Sequence, residues 1–346
     1  METVVHSLKL RLNWKLIRLL SRIDRFDASW ASIEKKEGQS LKQLKSISTV
    51  RSVGASTRIE GSKLSDEEVE VLLKQIDISK LSDRDSQEVV GYYETLDFIS
   101  ESFDDIQINE SNLKYLHRLL LKYSTKDEWH RGDYKTQSNA VEARMPDGST
   151  QIIFQTTPPG VATITAMTEL IRWFSEDNQT HPLVKCALFV YDFVSIHPFQ
   201  DGNGRLSRLL TTLLLLKSSY KWIEYVSFES EVEHRKTEYY RVLRSCQANR
   251  PYEDVTTWIE FFFDALGNIQ NLLMDKLHTQ GVMASLSPRE KAILTFIENR
   301  PGCKSGDISN QLNIPNPTVK RILVELIKQN LIQKHGVGPG TNYTIS

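Results

Sequence analysis

His197, Asp201, Arg205 and Arg208 fall within one stretch of 12 residues, and each is a residue type that handles protons, metals or phosphate. The stretch reads His197-Pro198-Phe199-Gln200-Asp201-Gly202-Asn203-Gly204-Arg205, with Arg208 one turn later. It separates an apolar run ending near Ser195 from a Leu-rich run, so a polar loop opens directly into a helix. The first turn of a helix has unpaired N–H groups and a partial positive charge, which makes it an anion site. Gly202 and Gly204 let backbone approach a ligand without a Cβ in the way. Arg205 and Arg208, spaced i and i+3, share one helix face and can hold further phosphates. Asp201 is a hard oxygen ligand suited to Mg²⁺ on a polyphosphate. His197 can take a proton near neutral pH.

Taken singly, each part has an ordinary reading. A histidine in this place can be a hydrogen-bonded helix terminator, Asp-Gly-Asn-Gly a plain turn, and the two arginines a solvated face. His197 and Asp201 could be two ligands of one metal, but no third ligand stands near them, which argues against zinc. All the ordinary readings would have to hold together, and their coincidence favours a nucleotide-phosphate site.

The elements that must position this loop are mostly helical. Apolar residues recur at helical spacing over 16–33, 67–76 and 88–99. Ser65-Asp66-Glu67-Glu68 predicts a capping box at the start of the second of these. Further helices are predicted over 111–123, 161–176, 182–195, 203–218, 231–248 and 253–277. The run Val184–Val194 is apolar nearly all round, as a buried central helix must be. One segment departs from this pattern. Residues 139–156 hold two strand-favouring runs around Met145-Pro146-Asp147-Gly148, a turn sequence, and read as a β-hairpin.

A boundary is expected near 280–287, before Pro288. Beyond it, helices are predicted over 288–299, 304–312 and 318–330, with Asn316 as N-cap and Pro317 in the first turn. Two short strands around Gly336-Val337-Gly338-Pro339-Gly340 follow, so 286–346 reads as a winged helix-turn-helix. The expected fold class is therefore mainly α: a helical core with one β-hairpin, then a small winged-helix domain.

Composition excludes several classes. At 346 residues and 39.8 kDa the chain can bury a sizeable core unaided. Cys186, Cys246 and Cys303 are odd in number and widely spaced, which suits a reducing cytoplasm rather than a disulfide framework. No apolar stretch reaches the ~20 residues of a membrane span, and the first residues carry no signal-peptide pattern, so a cytoplasmic protein with no membrane partner is expected. The net charge of −1 conceals a segment, 60–110, with 15 acidic against 4 basic residues, and a C-terminal stretch, 286–346, with 8 basic against 4 acidic. A protein that only coats nucleic acid would be basic overall. The Gly-x-x-x-x-Gly-Lys-(Ser/Thr) phosphate loop is lacking, and Gly336–Gly340 opens no helix as a dinucleotide fingerprint would.

His197-Pro198-Phe199-Gln200-Asp201-Gly202-Asn203-Gly204-Arg205-Leu206-Ser207-Arg208 resembles, position for position, the HPFxDGNGRxxR signature of Fic-domain proteins, most of which transfer AMP from ATP to a hydroxyl side chain. The resemblance covers about residues 45–265. It implies ATP as substrate with Mg²⁺. His197 would deprotonate the target hydroxyl and Asp201 would bind the metal. Gly202, Asn203 and Gly204 would cradle the phosphates, and Arg205 and Arg208 would clamp the outer ones. Upstream, Ser56-Thr57-Arg58-Ile59-Glu60-Gly61 is similar to the family's inhibitory motif (S/T)xxxE(G/N). Ser56 and Glu60 at i and i+4 share a helix face, and Gly61 suits a helix end. On this likeness Glu60 would pair with Arg208 and hold ATP in a non-productive pose, from a helix around 46–61 within an N-terminal region, 1–95, that precedes a core at 96–280. The 139–156 hairpin stands where the family has its flap, along which a target segment adds as a strand. Tyr239 or Tyr240 would stack on adenine, with Gln247 as a polar contact. Family members often form dimers, and a homodimer is implied.

The expected function is thus a protein adenylyltransferase acting on a Ser, Thr or Tyr hydroxyl. Two alternatives stand beside it. Glu60 could orient a water that removes AMP, giving a de-adenylylating or bifunctional enzyme. The chain could instead be a DNA-binding regulator with a nucleotide-sensing Fic-like core, since Lys320, Arg321 and Lys328 lie on or near the recognition helix of the winged module. A protein-docking or dimerisation role suits that module slightly better, because its basic surplus is small.

Overall fold

A computed structural model of the chain describes residues 2–5, 8–81, 83–144, 150–329 and 331–345. The chain forms two compact units, Met1–Leu272 and Leu273–Ser346. The first contains β1 (Glu2–Val5), β2 (Leu8–Arg11), α1 (Trp14–Ile59), α2 (Asp66–Lys74), α3 (Arg84–Ser102) and α4 (Glu110–Leu120). Then come β3 (Ala140–Arg144), β4 (Thr150–Gln155), α5 (Val161–Glu176), α6 (Pro182–Ile196), α7 (Asn203–Lys217), α8 (Phe228–His234) and α9 (Lys236–Gln247). The division between the units falls inside α10 (Thr256–Ser285).

The apolar run expected to be central is so. In α6 every residue from Leu183 to Ile196 except Lys185 is buried, and α7 buries both its leucines and Arg205 and Arg208. The two helices pack on each other, and α1, α3 and α5 pack around them. From α10 the Trp258 indole N–H donates to the Ala187 carbonyl of α6 at 2.8 Å. The loop between α6 and α7 therefore leaves from, and returns to, two buried helices that pack on each other.

Several boundaries differ from expectation. The N-terminal region is not wholly helical: β1 and β2 pair antiparallel, Glu2 opposite Arg11, and Lys9 bonds Glu253 and Val255 through the backbone. Four-residue strands are too short for a period-2 pattern to be told from a helix turn. The segments 16–33 and 46–61 are parts of one 46-residue helix, α1, bent at Glu37, where φ/ψ leave the helical region. The predicted helix 231–248 is two, α8 and α9, joined at Arg235, which has non-helical ψ. The stretch expected as a linker, 280–287, is helical as far as Ser285. The predicted capping box at Ser65 and Glu68 is present.

The 139–156 hairpin forms as antiparallel β3 and β4, Ala140 opposite Gln155, with a register shift between Val141 and Glu142. Its turn, Met145-Pro146-Asp147-Gly148, lies outside the described residues.

In the second unit α11 (Pro288–Asn299), α12 (Ser305–Leu312) and α13 (Asn316–Lys328) precede the antiparallel pair β5 (Ile332–His335) and β6 (Asn342–Ile345). Ile293, Ile297, Ile308, Val319, Ile322 and Leu326 form its core. Pro315, not Asn316, is the N-cap of α13, and Asn316 is already helical. Lys320, Arg321 and Lys328 are exposed, and Lys328 pairs with Glu325 at 3.0 Å. No helix among the described residues is long and apolar enough to cross a membrane.

Candidate active site

The α6 helix ends at Ile196, and His197 turns the chain in the left-handed region (φ 54, ψ 60). A residue with a Cβ pays for that conformation, of order 1–3 kcal/mol, and surrounding contacts must hold it there. The His197 N–H still donates to the Phe193 carbonyl at 3.0 Å. The ring Nδ1 lies 3.2 Å from the Val194 carbonyl. A carbonyl only accepts, so Nδ1 carries the proton and Nε2 is the free base. Burial is the main cause that brings the imidazole pKa down to about 4, aided by Lys135 and opposed by the Val194 bond, Glu60 and Asp201. At neutral pH the ring is a neutral acceptor.

After His197 the loop is held at Phe199, which is fully buried. Its ring stacks on His117 of α4 with centroids 3.8 Å apart and planes 8° from parallel. The Asn203 amide closes the turn: its Oδ1 accepts from Phe199 N–H at 2.9 Å and its Nδ2 donates to the Phe199 carbonyl at 2.8 Å. The Asn203 side chain is therefore a brace of the loop, which leaves only its backbone N–H for the phosphate contact that the motif resemblance implied. The backbone of the turn stays available to a ligand. Gly202 takes φ +78, and the first i→i−4 bond of α7 runs from Leu206 N–H to the Gly202 carbonyl. The N–H groups of Asn203, Gly204 and Arg205 thus have no partner within the helix.

His117 is a site residue that sequence reasoning missed. Its Nε2 donates to the Asp201 carbonyl at 2.9 Å, and its Nδ1 accepts from Gly132 N–H at 2.9 Å. Burial lowers its pKa to about 3, so the ring is neutral and its tautomer is fixed by those two bonds. It also packs beside Gly202, where an added Cβ would meet Nε2 at 3.4 Å, an ordinary van der Waals contact. Nothing in a lone histidine 84 positions upstream of Asp201 signals this partnership.

Charge is concentrated at the start of α7. Asp201 Oδ1 accepts from Gly202 N–H at 2.5 Å and lies 3.4 Å from Arg205 Nη2. Burial raises the Asp201 pKa, but Arg205, the Gly202 bond and Arg84 outweigh it and leave the carboxyl below its usual range. Arg205 is 1% exposed and lies against Glu88 of α3 at 3.2 Å. It is held between two carboxylates inside the protein, where the motif led us to expect a guanidinium turned to the outer phosphates. Its Nε and Nη1 make no hydrogen bond among the described residues.

Arg208, 2% exposed, meets the end of α1. Its Nε donates to Ser56 Oγ at 2.8 Å, and its Nη2 to the Ser56 carbonyl at 3.0 Å and to Glu60 Oε1 at 2.8 Å. Burial raises the Glu60 pKa, and the Arg208 and Arg205 charges bring it back below the ordinary glutamate value. Glu60 also lies over the first turn of α7, because a Cβ at Gly204 would land on its Oε1. The carboxylate thus lies beside both the Arg208 guanidinium and the first turn of α7. The end of α1 is fastened there: Arg58 forks onto Glu233 at 2.7 and 3.0 Å, and Lys236 donates to the Ile59 carbonyl at 2.6 Å. Gly61, at φ +111, then ends the helix.

The expected adenine contacts are dispersed. Tyr239 is buried against Trp258 and Phe261. Tyr240 is partly exposed, stands edge-on to Tyr239 at 5.2 Å and feels the Glu60 and Arg208 charges, so it belongs to the clamp end of the site. Gln247 is buried and its amide donates to Ser195 Oγ at 2.9 Å, a bond between α9 and α6 that uses the group expected to read the base.

The sequence matches the model of the Fic/DOC family over residues 107–215. Among curated proteins, it is 27% identical over 207 residues to a protein adenylyltransferase Fic of Drosophila melanogaster, covering 59% of this chain and 39% of that one. It is 24% identical over 251 residues to the Drosophila mojavensis protein of the same name, covering 71% and 45%. The chain thus spans less than half the length of these curated relatives. Among solved structures, a Fic family protein from Desulfovibrio desulfuricans aligns over 97% of both chains with a TM-score of 0.65 and 24% identity. A Fic domain-containing signaling protein from Bacteroides thetaiotaomicron aligns over 74% of this chain and 96% of its own, with a TM-score of 0.60 and 23% identity. The first of these likenesses extends the shared fold well beyond residues 107–215. The matched span holds His197, the loop and both arginines, so the likeness to the Fic/DOC family falls on the site itself.

Proposed function

We propose that this protein is an adenylyltransferase that moves AMP from ATP to a Ser, Thr or Tyr hydroxyl of a target protein, and that Glu60 holds it inactive. The observation that carries this reading is Arg208. A fully buried guanidinium on the anion-binding helix is bonded to Ser56 and Glu60, so an internal carboxylate sits where a polyphosphate would bind. The named relatives support the chemistry at family level.

In the reaction the target hydroxyl oxygen attacks the α-phosphorus and the bond to the β-phosphate breaks, releasing pyrophosphate. The hydroxyl proton passes to His197 Nε2, the nitrogen that the Val194 bond leaves free. Base catalysis of this kind contributes about 10²–10⁴-fold. The N–H groups of Asn203, Gly204 and Arg205, which have no partner within the helix, would hold phosphate oxygens in place, and fixed dipoles of this sort act without reorganising. An anionic, partly exposed oxygen donor suits Mg²⁺, and Asp201 would hold the ion, which neutralises polyphosphate charge when bound. The β3–β4 hairpin offers strand edges to a target segment.

The test is incorporation of label from ATP carrying ³²P at the α-phosphate. Glu60→Gly should incorporate more label than the parent, and adding His197→Ala should abolish it. Label that survives in the double variant removes the reading.

A further inference from the structure

Lys135 lies between α4 and β3, is 2% exposed, and forms no ion pair with any described side chain. Its ammonium instead spends its three donors on neutral oxygens: Asn139 Oδ1 at 2.9 Å, Thr156 Oγ1 at 2.8 Å and the Ile196 carbonyl at 3.2 Å. Burying a lysine on neutral partners is costly, and burial lowers its pKa to about 8.

Its neighbours show what the arrangement does. Ile196 immediately precedes His197. The Lys135 backbone N–H donates to the Pro198 carbonyl, which immediately follows it, at 2.8 Å. One residue thus grips the chain on both sides of the histidine held at φ 54. Asn139 and Thr156 flank the paired ends of the hairpin, since Ala140 stands opposite Gln155. Thr156 also bonds Asn139, and Asn139 Nδ2 donates to the Phe199 carbonyl at 2.9 Å.

We propose that Lys135 is a positioning residue that joins His197 to the β3–β4 hairpin, so that the orientation of the base depends on the seating of the hairpin. The inference rests on the proposed transferase reading and extends it. The largest charge effects on His197 come from Lys135 in this segment, Glu60 in α1 and Asp201 in the loop, and of these three Lys135 is the cation. Removing it should make the imidazole easier to protonate.

Three measurements on the full chain test this with Lys135→Met. In the first, NMR of ¹³C-labelled histidine, with His197 assigned by comparison with His197→Ala, should show its titration midpoint moved upward. Amide exchange of residues 140–144 and 150–155 should quicken. In the Glu60→Gly background, labelling from α-³²P-ATP should fall about 10²-fold, a loss that a misplacement of about 1 Å can cause, while calorimetric ATP affinity stays within about threefold. Lys135→Arg, which keeps the charge, should restore the His197 midpoint. If Lys135→Met fails to fold, Lys135→Gln removes the same charge and carries the same expectations. An unmoved His197 midpoint, unchanged hairpin exchange, or arginine behaving as methionine does would overturn the proposal. If the Glu60→Gly protein incorporates no label, the transferase reading fails, and the first two measurements still decide whether Lys135 links the two elements.

Discussion

Glu60→Gly is the perturbation whose consequences the geometry fixes most fully. Arg208 is 2% exposed and Glu60 31% exposed, and their hydrogen bond is 2.8 Å long. A charge-assisted hydrogen bond contributes about 1.5–3 kcal/mol. Breaking a fully buried pair costs about 3–5 kcal/mol. Because Glu60 reaches solvent, and because Ser56 still satisfies two Arg208 bonds, the lower range applies. Without nucleotide the variant should therefore lose about 1.5–3 kcal/mol of stability. The same quantity works in the opposite direction on ligand binding, since a polyphosphate no longer competes with the carboxylate. At 1.4 kcal/mol per decade this corresponds to an increase of about 10- to 150-fold in productive ATP binding. Two assays read it: label incorporated from α-³²P-ATP, and the melting-temperature rise caused by saturating ATP with Mg²⁺, which grows with [L]/Kd. The variant should melt below the parent without ATP and gain more on adding it. Glu60→Gln, which keeps an acceptor but no charge, should fall between. Equal ATP shifts in all three proteins, with equal incorporation, would refute the reasoning.

Four further outcomes follow from the same site. Gly204→Ala puts a methyl group on Glu60 Oε1, so alone it should destabilise by about 1–3 kcal/mol, and less in the Glu60→Gly background; additive effects in a double-mutant cycle would contradict the placement. His117→Phe keeps the stacking on Phe199 but loses the bonds to the Asp201 carbonyl and Gly132 N–H, and denaturant melts should show a loss of about 1–3 kcal/mol. Both His117 and His197 have folded pKa values, about 3 and about 4, below that of the unfolded chain, so the unfolded state takes up protons first as pH falls. Stability should drop between about pH 6.5 and 4, and His117→Phe should flatten that decline in melts taken across the range. Arg58→Ala removes the fork onto Glu233 that fastens the end of α1, and should raise incorporation by a smaller factor than Glu60→Gly.

The chemistry-bearing loop was legible in the sequence because it is continuous. Base, carboxylate, glycines and arginines sit within one loop and one helical turn, where spacing translates directly into geometry. The buried character of α6, the Ser65 capping box and the β3–β4 hairpin were legible for the same reason, as each rests on contacts between residues only a few positions apart. The N-terminal hairpin was not, because its strands are four residues long and owe part of their pairing to residues near 254, far along the chain. The split at Arg235 was not either, since the apolar pattern runs through it. Arg235 makes its ion pairs there with Glu231, Glu238 and Asp264.

What the sequence alone determined is the inventory: a glycine-rich turn opening a helix, an imidazole beside it, and a distant Ser56/Glu60 pair on one helix face. The tertiary structure decided the assignment of each group. It brought Glu60 onto Arg208 from 148 positions away, turned Arg205 inward onto Glu88, and spent the amides of Asn203 and Gln247 on the scaffold. It also supplied His117 and Lys135, neither of which belongs to a motif. The physical reason is that periodicity and spacing fix which side chains share a face of one element. Which charge meets which, and which polar group is used up inside, depends on how separate elements pack, and desolvation then makes those pairings decisive.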